Sequence, residues 1–196
     1  MIKYKLYPLY EFNGRLFFPI EKQHLEKIKE WRNAQMEILR QWKPLTDYNQ
    51  EKWFQEVTES NNQVIFSIII FNKDNIKKFI GYCGLVNIDH INKKAEFSFL
   101  VDPERVSKRK IYKEDFMSAL KAICNYGFNQ LNLNKIFTET FCFRKYHIEI
   151  LKEYGFKEDG VLRKNQYIKG KYYDSIIHSI LKSEFLEKYG GENVAQ

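Results

Sequence analysis

The alternation of polar and apolar positions changes period several times along the chain, and each change marks an element. Residues 3–20 alternate and are interrupted at Asn13-Gly14, which predicts a β-hairpin with a short strand on each side. From Glu21 the spacing becomes helical: Leu25, Ile28, Trp31, Gln35, Ile38 and Leu39 share one stripe, and Pro44 closes the segment. Thr46 is placed as an N-cap, so a second helix is expected from Asp47 to about Thr58, with Trp53, Phe54 and Val57 inward.

Residues 63–71 (QVIFSIIIF) are almost wholly apolar and β-branched, as in a strand covered on both faces. Residues 78–88 form a second strand, where Gly81 and Gly84 predict a bulge or close backbone approach. Residues 94–101 form a third, stopped by Asp102-Pro103. Residues 112–130 give the strongest helical pattern, with Phe116, Ala119, Leu120, Ile123, Cys124 and Phe128 on one face. A strand at 136–141 and a helix at 144–154, capped by Gly155, come next. Alternating segments at 157–162, 166–169 and 175–181 complete the pattern. No linker or repeat interrupts the series. The expectation is a single α+β domain over residues 1–183, a mixed, mostly antiparallel sheet flanked by helices, with a fraying polar tail at 184–196.

Composition narrows the function classes. With 44% hydrophobic and 16% aromatic residues, a packed core is expected and global disorder is excluded. The formal charge of +7 is spread among interleaved acidic residues, so nucleic-acid binding is not expected. Cys83, Cys124 and Cys142 are widely spaced and odd in number, which reads as free thiols in a reducing compartment and offers no zinc set. The N-terminal residues lack a signal-peptide pattern and no 18-residue apolar run occurs, so a soluble cytoplasmic protein without a membrane partner is expected, as a monomer or homodimer.

The order of elements resembles that of the GNAT N-acyltransferases, and several motifs carry the resemblance. Phe79-Ile80-Gly81-Tyr82-Cys83-Gly84-Leu85 is similar to the IGxxGL strand of the ribosomal-protein-acetyltransferase-like branch, and residues 95–101 (AEFSFLV) to the strand that follows it. Residues 131–136 (LNLNKI), residues 151–156 (LKEYGF) and Trp31-Arg32-Asn33 match further motifs of that branch. The resemblance spans about residues 25–181. It implies acetyl-CoA as co-substrate, bound where strand 94–101 splays from strand 136–141. Phe99, Leu100 and Val101 would meet the pantetheine arm, and a backbone amide near Leu100 or Val101 would stabilise the oxyanion.

The family's pyrophosphate loop reads Arg/Gln-x-x-Gly-x-Gly/Ala, and this chain departs from it. Here the run is Ser107-Lys108-Arg109-Lys110-Ile111-Tyr112-Lys113-Glu114-Asp115-Phe116, and no glycine lies between Gly84 and Gly127. Two readings stay open: the cations Lys108, Arg109, Lys110 and Lys113 replace the backbone cradle, or the donor site is remodelled or lost. The family's helix tyrosine, which protonates the leaving thiolate, falls on Leu151; Tyr146 and His147 are the nearby substitutes, and Arg144 could reach a CoA phosphate.

Glu96, in the strand beside the donor, is the candidate base, since burial raises a carboxyl's pKa towards neutrality. The candidate acceptor residues are Arg32, Asn33, Gln41, Trp53, Tyr82 and His178, with Arg32 pointing to an anionic acceptor. The expected activity is N-acetylation of a primary amine on a small molecule, an amino sugar or sugar nucleotide in the first instance. The alternatives are acetylation of a protein N-terminus, or a degenerate domain that binds without catalysis.

Overall fold

The computed structural model describes residues 8–190; the first residues of the expected hairpin, 3–7, and the end of the tail lie outside them. Strand β1 (Tyr10–Phe12) and strand β2 (Arg15–Pro19) pair antiparallel across Asn13 and Gly14. Both turn residues have positive φ, 50° and 70°, the combination that matches the twist of a two-residue hairpin. Helix α1 (Leu25–Ala34) buries Leu25, Ile28 and Trp31, and helix α2 (Asp47–Glu59) starts from Thr46, the expected N-cap, which forms a capping box with Asn49.

Strands β3 (Val64–Phe71), β4 (Lys77–Asp89) and β5 (Lys94–Val101) form an antiparallel meander. A short helix α3 (Pro103–Val106) leads into the long helix α4 (Arg109–Asn125), which ends in a π-turn at residues 126–130. Strand β6 (Lys135–Phe141), helix α5 (Lys145–Tyr154), strands β7 (Lys157–Ile168) and β8 (Lys171–Leu181), and helix α6 (Lys182–Tyr189) follow. The eight strands form one sheet in the order β1-β2-β3-β4-β5-β6-β8-β7.

The sheet is covered on both faces. Helices α4, α5 and α6 bury Phe116, Leu120, Ile123, Leu151 and Phe185 against Phe97, Ile136 and Ile180. On the opposite face α1 and α2 bury Ile28, Trp31 and Val57 against Ile65, Tyr82 and Leu100. Each fully buried side chain of this size contributes about 2–3 kcal/mol by leaving water. A Cβ on Gly81 would lie 2.3 Å from the Leu100 carbonyl oxygen and one on Gly84 2.0 Å from that of Val64, so both glycines mark the close approach their sequence positions predict.

Four expectations need correction. The first helix stops at Ala34, not Leu39: Gln35 leaves the helical conformation, and its side-chain amide donates to the Val101 carbonyl at 2.9 Å and to that of Trp31 at 3.3 Å. Helix α4 begins at Arg109, three residues before the expected start, so the basic run is the head of a helix and not a loop. Residues 157–169 are a single strand to Ile168, interrupted by register shifts after Glu158 and Leu162. The tail is part of the fold as far as Tyr189, because Phe185 is 2% exposed and stacks on Phe128 with ring centroids 5.1 Å apart.

Candidate active site

Every strand pair in the sheet is antiparallel except one. Strands β5 and β6 run parallel, and they pair only through Lys94/Lys135, Ala95/Ile136 and Glu96/Phe137. Beyond those residues no backbone pair joins them, and the strands diverge around a cleft lined by Leu39, Arg40, Glu96, Ser98, Phe99, Thr138, Glu139, Arg144 and His147. Its volume is about 90 Å³, room for about three waters. A smaller space beside it is walled by Gln35, Phe99, Leu100, Val101, Tyr112 and Arg144. Phe99 lines both spaces, and Leu100 and Val101 only the smaller one.

Glu96 points into the cleft from mid-β5 and is 4% exposed. Its carboxylate is held by the Arg40 guanidinium and by Asn87 Nδ2 at 3.0 Å. Arg40 also reaches Glu139 across the split at 3.3 Å, and Asn165 Nδ2 donates to the other Glu139 oxygen at 2.8 Å. One guanidinium therefore bridges two carboxylates, one from each diverging strand.

On the donor-facing side, Tyr112, Arg144 and His147 form a second constellation. Arg144 Nη2 donates to Tyr112 Oη at 3.0 Å, leaving the phenol proton for His147 Nδ1 at 2.7 Å. His147 stacks on Phe116 at 4.1 Å. Burial first, then the neighbouring Arg144 and His178, hold the His147 pKa well below its usual value, so its ring is neutral and carries its proton on Nε2. Burial raises the Tyr112 pKa, with Arg144 opposing it.

The head of α4 carries Lys108, Arg109 and Lys110, all exposed, with no acidic residue in the first turn and no ion pair to any of the three among the described residues. The amides of the first turn have no helical acceptor, so cations crowd a helix end that already attracts anions. Glu114 and Asp115 do not face this end as competing charges. Asp115 is fully buried and bound by Arg15 at 3.0 Å and by Arg105 at 2.6 and 2.8 Å, and Glu114 pairs with Arg15 at 3.0 Å.

Other expected site residues fall elsewhere. Lys113 is paired with Glu153 at 2.7 Å. Tyr146 is outside the cleft lining; its hydroxyl donates to the Arg109 carbonyl at 3.1 Å, and Arg109 stacks over its ring. Asn33 uses both ends of its amide to fasten Leu45 and Gln41, and Arg32 donates to Gln41 at 3.1 Å, so these three hold the α1–α2 connection together. Trp53 and Tyr82 pack on one another at 5.8 Å in the α1/α2 core. His178 is wholly buried, with neither ring nitrogen hydrogen-bonded. Of the six expected acceptor residues, Gln41 alone lines a neighbouring groove of about 540 Å³, formed by residues 36, 37 and 39–42 and residues 166–169.

The family model for the acetyltransferase (GNAT) domain matches residues 19–177. The chain belongs to the GNAT acetyltransferase family. An uncharacterised N-acetyltransferase, p20, of Bacillus licheniformis is 32% identical over 121 residues, which cover 61% of this chain and 63% of that protein, just under two thirds. A spermidine N(1)-acetyltransferase of Vibrio cholerae is 27% identical over 146 residues, 69% of this chain and 82% of that protein. A crystal structure of a mutant of the Vibrio cholerae spermidine/spermine N-acetyltransferase SpeG superposes with a TM-score of 0.76 at 24% identity, covering 90% of this chain and 99% of that one, and that likeness shows the GNAT fold.

Proposed function

We propose that this GNAT domain is an acetyl-CoA-dependent N-acetyltransferase acting on a primary amine of a small molecule. The observation that carries the proposal is the split between β5 and β6, which has a buried carboxylate on one wall and an unpaired cationic helix head near its mouth. Acetyl-CoA supplies the acyl group as a thioester. Lys108, Arg109 and Lys110, with the free amides at the start of α4, are placed to hold its phosphates by charge where relatives use glycines. The unpaired edge of β5 from Phe97 to Val101 offers backbone donors and acceptors to an extended arm.

Glu96 accepts the proton of the acceptor ammonium once Arg40 releases it, which makes a nucleophilic amine. Tyr112 is the hydroxyl on the opposite wall, polarised by Arg144; once its proton turns from His147 Nδ1 to the leaving thiolate, it replaces the helix tyrosine that is missing at Leu151. The groove beside Arg40 has the volume of a small-ligand site, which supports a small acceptor over an extended peptide. The spermidine N-acetyltransferase relatives support the same class. An amino sugar or sugar nucleotide is supported by family analogy alone, since Arg32, the expected anion site, donates to Gln41. We place the enzyme in the cytoplasm, in keeping with three free cysteines, and near the ribosomal branch, since a putative ribosomal N-acetyltransferase of Bacillus subtilis is 27% identical over 106 residues.

Calorimetric titration with acetyl-CoA tests the reading. The wild type should bind in the micromolar range, and a Lys108→Ala/Arg109→Ala/Lys110→Ala variant about 100-fold more weakly, with the wild-type affinity falling as salt rises. A folded wild type that fails to bind acetyl-CoA would overturn it and leave a non-catalytic binding module.

A further inference from the structure

Arg40 extends from the irregular segment between the 3-10 turn Met36–Ile38 and the start of α2, and its guanidinium lies in the reacting cleft. The Glu96 and Glu139 side chains that it bridges are 5% and 12% exposed, whereas the Arg40 side chain is 49% exposed. The two carboxylates share this single guanidinium, because Arg144, the other cation lining the cleft, is turned to Tyr112 and His147. Asn87 and Asn165 satisfy further oxygens but bring no charge. Without a cation between them, the carboxylates would repel across the split, so the position demands a positive occupant.

The present occupant is easily displaced. Half-exposed ion pairs are weak, and Arg40 stands on a connection that makes no regular structure beyond Ile38. Space requires the displacement as well. With Arg40 in place the cleft holds about three waters, yet Leu39 and Arg40 line both it and the adjoining groove of about 540 Å³. Arg40 is thus one of the two side chains that border both spaces.

We propose that Arg40 is an internal stand-in for the acceptor, and that the site selects amines bearing a second positive charge, which enter by displacing it. This rests on the reading of the cleft as an acyl-transfer site. The reacting nitrogen approaches Glu96 and the second ammonium lies against Glu139. An acceptor carrying a phosphate meets like charge from both walls and is rejected.

The test is calorimetry without CoA, using 1,4-diaminobutane, butylamine and glucosamine 6-phosphate as probes of the full chain. The wild type should prefer the diamine, and Arg40→Ala should bind it about tenfold more tightly. Glu139→Gln, placed in the Arg40→Ala background, should remove that gain. Arg40→Gln keeps the stem packed and serves if the alanine variant does not fold. Equal or weaker diamine binding by both Arg40 variants would overturn the proposal, as would glucosamine 6-phosphate binding that depends on Arg40. Because no donor is present, acetyl-CoA binding in a separate titration tells failure of this inference from failure of the acetyltransferase reading.

Discussion

Among single residues, Tyr112 has the most to lose from a small change. Its hydroxyl accepts from Arg144 beside Phe99 and donates to His147 Nδ1. Tyr112→Phe keeps the ring contacts with Phe99 and Phe116 and removes both bonds. Stability should fall by about 1–2 kcal/mol in urea denaturation, because the buried His147 acceptor loses its donor. The acetyl-transfer kcat should fall about 100-fold while acetyl-CoA affinity in calorimetry stays close to wild type. An unchanged kcat would show that Tyr112 serves packing alone. Neither Tyr112 nor Arg40 was legible in the sequence as a functional residue. The first passes as one more apolar position at the start of a helix, and the second follows Leu39, the end of a stripe that reads as helix although Gln35 leaves the helix to bond β5. Glu96 was legible, because a lone carboxylate among Ala95, Phe97 and Phe99 stands out in any strand.

At the scale of elements, the head of α4 is held by charge rather than by a capping side chain. Lys108 makes no cap, and α4 is instead tied to β2 and α3 through Asp115, Arg15 and Arg105. Asp115→Asn leaves two largely buried guanidiniums without their shared counter-ion, so the protein should lose roughly 3 kcal/mol of stability, read as a lower urea midpoint. A loss below about 0.5 kcal/mol would mean that the arginines find water instead. Strands β3 to β6 were readable because period-two and β-branched runs carry their own signal. The start of α4 was not, since a basic run at a helix head opposes the dipole rule that sequence reading relies on. Helix α6 was missed for a different reason: in an eight-residue, mostly polar segment only Phe185 is buried.

The whole molecule titrates through its histidines. His24, His147 and His178 are buried, and for each, burial is the first cause of a pKa below the usual 6.5. The unfolded chain therefore binds more protons than the native one once the pH drops below about 6.5, so stability is complete above that value and declines with acidification. Urea midpoints at about pH 7.5 and about pH 5.5 should show the lower value in acid, and His178→Asn should narrow the gap. Equal midpoints would mean that the rings are protonated in the fold. Two half-sheets, β1 to β5 and β6 to β8, share only three residue pairs, Lys94–Glu96 facing Lys135–Phe137. A molecule lodged in that seam is both cargo and mortar: it stitches the halves together for as long as it stays. Anything bound to the folded form alone also shields it from unfolding, so the durability of this protein becomes tied to the supply of what it binds.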